Sequence, residues 1–128
     1  MSILYLTLDQ LLQLHVLAVN HSGGSTGVRD IGRLESAVAT QSQEVFGQEL
    51  YIMVHEKAAA LMRGIVQDHP FVDGNKRTAI LAGLTLLEIN GLKFTAKKGE
   101  LEDFAVRIAT DHLDVASIAD WLKVYTRV

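Results

Sequence analysis

The sequence contains no cysteine, no basic run longer than two residues and no apolar run long enough to cross a bilayer. The missing cysteine fits a reducing compartment and fits many exported proteins equally, so it leaves the compartment open. A net charge of −3 with scattered lysine and arginine excludes the basic stripe of a nucleic-acid surface and the polybasic run of a membrane-binding one. The most apolar stretch, Ala79 to Leu87, falls well short of the roughly 20 residues of a spanning helix. The N-terminal MSILYLTLDQ lacks a basic segment followed by an apolar stretch and a cleavage site, so no signal peptide is evident and a cytoplasmic location is expected. Neither Gly-rich phosphate loop occurs, which excludes a conventional kinase or a P-loop enzyme. His55-Glu56 lacks the second histidine of a zinc metalloprotease one turn on, where Ala59 stands. There is no internal repeat, low-complexity tract or heptad seam.

What is present is helical periodicity. Thr7 and Gln10 have the spacing of a capping box, and Leu8, Leu11, Leu12, Val16 and Val19 then predict a helix to about Asn20. His15 lies on its apolar side, where it serves as a core histidine or as a wall of a site. HSGGSTG, from His21 to Gly27, is a loop by composition. Asp30 caps a predicted helix through about Thr40, with Leu34, Ala37 and Val38 inward and Arg29, Arg33 and Glu35 as a solvated polar face. Gln41 to Gln48 reads as a polar loop around Val45-Phe46, and periodicity returns from Leu50 to Gln67. Ala79 to Leu87, apolar on every face, predicts a helix in the middle of a bundle, stopped by Gly91. Leu92 to Ala96 reads as a short extended piece. Helices follow from about Glu100 to Thr110 and, capped by Asp114, through Val115, Ile118, Trp121, Leu122 and Tyr125. Ile3 to Leu6 is a strand or an apolar arm. The expected fold is all-α, a compact bundle of about six helices around a central buried helix, with one short extended segment allowed. One domain over residues 1–128 accounts for the length.

The chemistry lies where the central helix begins, in HPFVDGNKR, His69 to Arg77. Asn75 suits an N-cap, but Lys76 and Arg77 place two cations where the helix dipole already presents positive charge and unpaired N–H groups. An anion reverses the sign of that arrangement. The Gly74 and Asn75 backbone donors, the Lys76 ammonium and the Arg77 guanidinium then converge on one phosphate cluster. Asp73 beside them is a carboxylate suited to hold magnesium on phosphate oxygens. Phe71, between polar neighbours, reads as an anchor buried under the loop.

HPFVDGNKR resembles the motif of the Fic/Doc family, and the chain is similar to its short death-on-curing branch in particular. GVRDIGRLESAVA (Gly27 to Ala39), EKAAALMRGI (Glu56 to Ile65) and LTLLEING (Leu84 to Gly91) carry the same resemblance over most of the chain. It implies the Fic fold, with His69 as general base, a role suited to an imidazole. It also implies that Gly74, Asn75, Lys76 and Arg77 bind the phosphates of ATP, that Asp73 holds magnesium through them, and that Phe71 anchors the loop. In the family the region of Gln41 to Gln48 lies near the mouth of the site, where a flap aligns the target.

One departure matters. The nucleotidyl-transferring motif carries a second arginine three residues after the first, and here Ile80, apolar and expected to be buried, stands there. The death-on-curing branch lacks that arginine and phosphorylates elongation factor Tu, so Ile80 favours a kinase. Gly74 pulls the other way, because glycine leaves room for the phosphate nest of AMP-transferring enzymes. The resemblance therefore implies first a toxin of a toxin–antitoxin pair. It would transfer phosphate from ATP, with magnesium, to a hydroxyl of elongation factor Tu and so inhibit translation, and a small antitoxin would block it in trans. AMP transfer to a protein hydroxyl is the second reading, and a catalytically idle phosphate-binding module the third. No nucleic-acid or membrane partner is expected.

Overall fold

The computed structural model describes residues 2–128. Six α-helices dominate the described residues: α1 Leu8–Ser22, α2 Ile31–Ala39, α3 Val54–Asp68, α4 Asn75–Ile89, α5 Lys98–Thr110 and α6 Val115–Val124. A 3-10 turn, Thr40–Ser42, follows α2. Two minimal antiparallel sheets complete the fold, β1 Glu44–Val45 with β2 Gln48–Glu49, and β3 Lys93–Phe94 with β4 Thr126–Arg127.

Most helix starts follow local chemistry. Thr7 and Gln10 form the expected capping box on α1, Gln10 N–H donating to Thr7 Oγ1 and Thr7 N–H to Gln10 Oε1. Asp30 and Asp114 accept from Arg33 N–H and Ser117 N–H at the starts of α2 and α6. Glu56 and Glu100 reach back to the Met53 and Lys97 amides at α3 and α5. On α1 the buried face runs through Leu11, His15, Ala18 and Val19, whereas Val16, grouped with them by periodicity, stays exposed.

Helix α3 begins at Val54 rather than Leu50, because the chain before it is held as a hairpin. Glu44 pairs with Glu49 and Val45 with Gln48 around a tip at Phe46 and Gly47, both at positive φ. A fully buried lysine anchors it: Lys57 Nζ donates to Gln41 O at 2.8 Å and to Glu49 Oε1 at 2.9 Å. Burial pulls the Lys57 ammonium down, yet its bond to Glu49 and its contacts with Tyr5 leave it above the ordinary lysine value. The same bond holds the Glu49 carboxyl below its usual range.

The N-terminal segment is an arm, not a strand. Asn90 Nδ2 donates to Leu4 O while Leu4 N–H donates to Asn90 Oδ1, and the Gln41 carboxamide treats Leu6 in the same way. Two side-chain amides thus replace a neighbouring strand and satisfy backbone groups that would otherwise be unpaired. At the other end, Leu92 to Ala96 supplies β3, and Trp121 stacks on Phe104 at 3.9 Å. His55 donates from Nε2 to Thr126 Oγ1. Burial, then the Lys123 charge, push its imidazole below the ordinary pKa.

The core is centred on α3 and α4. Gly83 lets the two helices approach closely, since a β-carbon there would overlap Met62 Sδ. Helix α4 buries Thr78, Ala79, Ala82, Gly83, Leu86 and Leu87. Its other face departs from the expectation of all-round burial. Ile80, Leu81 and Leu84 are only half-buried and line an open groove, so the apolar character of that face serves a cavity rather than the core. No helix among the described residues is long and apolar enough to cross a membrane.

Candidate active site

Helix α3 ends at Asp68 because Pro70 supplies no N–H and disfavours a helical conformation in the residue before it. His69 turns the chain in the left-handed region, at φ 48° and ψ 58°. For a residue with a β-carbon that conformation costs on the order of 1–3 kcal/mol and must be imposed by its surroundings.

Those surroundings come from far along the chain. Residues 27–30 run antiparallel to the loop, with Val28 bridged to Phe71. Val72 N–H donates to Gly27 O, and Arg29 N–H and Asp30 N–H both donate to Pro70 O. Phe71 is buried and stacks on His15 at 3.7 Å with the rings within 8° of parallel. His15 Nε2 donates to Asp73 O at 2.8 Å, which fixes its tautomer and ties the loop to α1. His15 is therefore both a core histidine and a support beneath the site.

Asn75 does not cap the helix. Gly74 occupies the N-cap at φ 75°, and the Asn75 carboxamide closes on the loop, Phe71 N–H donating to its Oδ1 and its Nδ2 donating to Phe71 O, both at 3.0 Å. Its side chain holds the loop, leaving its backbone N–H and the second Nδ2 hydrogen without a protein partner among the described residues. No side chain bonds the start of α4, whereas N-cap side chains accept from helix amides at α1, α2 and α6 and the N3 glutamates bond the N-cap amides at α3 and α5. Lys76 is exposed, Arg77 is half-buried, and neither forms an ion pair among the described residues. Free N–H groups and two unneutralised cations thus share one helix end.

Asp73 is oriented rather than free. Ser25 N–H donates to its Oδ2 at 3.0 Å, and a β-carbon at Gly24 would lie 3.3 Å from the Asp73 Cβ. The small residues of the 21–27 loop allow this close approach. A methyl on Gly74 would point toward α1, meeting Val19 Cγ2 at 3.3 Å and His15 Nε2 at 3.8 Å. At φ 75° the position favours glycine on backbone grounds alone.

His69, Asp73, Gly74, Asn75, Lys76 and Arg77 all line one groove of about 890 Å³. Leu14, Leu17, Ala18 and His21 of α1 form one wall, Ile80, Leu81 and Leu84 of α4 the floor, and Lys98, Leu101, Glu102, Ala105 and Val106 of α5 the other wall. One end is polar and cationic, the rest mostly apolar apart from His21, Lys98 and Glu102. This is the layout of a site for a ligand with a charged tail and a less polar body.

Sequence reasoning missed two arginines. Arg29 and Arg33, read as a solvated face, donate to the carbonyls that close α3: Arg29 Nε to His69 O at 2.8 Å, Arg29 Nη2 to Asp68 O at 2.9 Å and Arg33 Nη1 to Asp68 O at 3.0 Å. The only local signal for them was a helix ending at Pro70 with carbonyls left unsatisfied. His21 and the α5 wall were missed as well, for want of any local signal.

A sequence model described as the Fic/DOC family matches residues 5–87, which include the whole loop and most of α4. The chain is 42% identical over 99 residues to the Toxin Doc of Mycolicibacterium smegmatis (strain ATCC 700084 / mc(2)155), spanning 76% of each chain. It is 32% identical over 115 residues to the Protein kinase doc of Escherichia phage P1, spanning 90% of each.

Proposed function

The chain belongs to the Fic/DOC family, and from that premise we propose that it is a toxin acting as a protein kinase, moving the terminal phosphoryl group of ATP to a hydroxyl of a target protein. The observation that carries this reading is the uncapped start of α4, where Lys76, Arg77 and free backbone N–H groups face the same groove as His69. The names of the relatives, a toxin and a protein kinase, point the same way.

In this mechanism the α4 terminus binds the phosphates, and the Arg77 fork fixes their direction. The target hydroxyl attacks the terminal phosphorus as His69 takes its proton. The bond from that phosphorus to the bridging oxygen breaks, and ADP leaves with the electron pair. The residues present fit a magnesium ion, since magnesium needs only one or two carboxylates beside phosphates and water, and Asp73 keeps Oδ1 free while Ser25 holds its Oδ2. When bound, the ion neutralises phosphate charge. Ile80 gives the floor of the groove no second cation, which favours phosphoryl over AMP transfer. Gly74, the ground for AMP transfer, weighs less, because its φ of 75° already favours glycine there.

The resemblance names elongation factor Tu as the target and an antitoxin in trans as the inhibitor. The apolar walls of the groove suit an antitoxin segment. The test is the intact mass of elongation factor Tu after incubation with the protein, ATP and magnesium, beside a His69→Ala control. A gain of one phosphate, lost with His69→Ala by a factor of about 10²–10⁴, supports the reading. A gain of AMP replaces it with nucleotidyl transfer, and no gain in this target or in a lysate overturns it.

A further inference from the structure

Resting on the reading of His69 as the proton acceptor, we propose that Arg29 is a positioning residue for the reaction, clamping the backbone that presents His69. Arg29 alone takes three consecutive carbonyls: Nη2 donates to Asp68 O at 2.9 Å, Nε to His69 O at 2.8 Å and its own N–H to Pro70 O at 2.8 Å. These are the groups flanking the left-handed turn at His69, and the planar guanidinium fixes two of their directions at once.

The clamp is itself held. Val28 is bridged to Phe71, Asp30 N–H shares Pro70 O, and Asp30 caps α2 through Arg33 N–H. Arg33, one turn further, shares Asp68 O and pairs with Asp30 at 3.5 Å. Arg29 is absent from the groove lining, so it has no path to the nucleotide except through the loop. The phosphate cradle has separate supports in Asn75 and His15. Loss of Arg29 therefore frees the His69 peptide while leaving the α4 terminus in place. Misplacement of a reacting group by about 1 Å is enough to lower turnover by about 10²-fold.

The experiment compares wild type, Arg29→Ala, Arg29→Lys, His69→Ala and the Arg29→Ala/His69→Ala double variant. Arg29→Ala is expected to lower kcat about 10²-fold with the KM for ATP and the nucleotide affinity held within about twofold. Arg29→Lys, which keeps the charge but loses the fork, is expected to follow alanine rather than wild type. The double variant should be no slower than His69→Ala alone, because both changes act on one group. Histidine-selective NMR of the unliganded protein gives a readout without turnover: the His69 ring signals should move or broaden in Arg29→Ala, and those of His112 should not. Should Arg29→Ala fail to fold, Arg29→Lys carries the same comparisons. Parent kcat in the Arg29 variants, a double variant slower than His69→Ala, or unchanged His69 signals overturns the proposal. A wild-type protein that transfers nothing defeats the reading of the site instead, and the ring spectra alone then decide whether Arg29 holds His69.

Discussion

Two pairs of cationic side chains stand at the two helix ends joined by the loop from His69 to Gly74, and they meet opposite electrostatics. Arg29 and Arg33 lie at the C-terminus of α3, where the dipole is negative and carbonyls are unpaired, and both guanidiniums donate to those carbonyls. Lys76 and Arg77 lie at the N-terminus of α4, where the dipole is positive and the unpaired groups are donors like themselves. The first pair is satisfied by the protein. The second has no ion-pair partner among the described residues and is left to solvent or, in the proposed function, to an anion. Charge and exposure do not separate the two pairs, whereas the polarity of the nearest helix end does.

The comparison can be broken or sharpened at single residues. The largest effect is expected from Arg77→Ala, which removes charge-assisted bonds worth about 1.5–3 kcal/mol from the phosphate cradle. Titration calorimetry with ATP and magnesium, or with pyrophosphate, should then show affinity lower by about 10- to 10²-fold. Unchanged affinity would mean that the α4 terminus does not hold the anion. Arg33→Ala should cost about 1 kcal/mol of stability through its bond to Asp68 O. That change is read as a lower urea midpoint at unchanged slope, with nucleotide affinity intact. If it weakened nucleotide binding instead, the division between the two pairs would fail. The smallest effect has the most telling sign. Lys76→Glu should raise the stability of the unliganded protein by about 0.3–1 kcal/mol, because a carboxylate suits that helix end, and should weaken nucleotide binding in the same preparation. A loss of unliganded stability would show that Lys76 already has a partner.

Much of the fold was legible because its signals are short-ranged. The caps at Thr7, Asp30 and Asp114 each join residues three apart, and the loop motif is contiguous. What failed to read from the sequence depends on distant partners. The hairpin at Glu44–Glu49 carries no strong β pattern and is anchored by Lys57, a residue of α3. Asn75 looked like a cap because its spacing suits one, but the left-handed Gly74 takes the cap and leaves the carboxamide free to close on Phe71. Ile80 was expected to be buried on composition alone, and lines the groove because no element covers that face of α4.

By itself the sequence determined the six helices and put His69, Asp73, Lys76 and Arg77 in one short loop and helix start. Helical hydrogen bonds and caps reach three or four residues, so neighbouring side chains suffice to specify them. Only the tertiary structure decided that His15 supports Phe71, that Ser25 orients Asp73 and that Arg29 grips the carbonyl of His69. Those contacts span 40 to 58 residues. They form only once the 24–33 segment and α1 have docked against α3 and α4, and no local pattern encodes that docking.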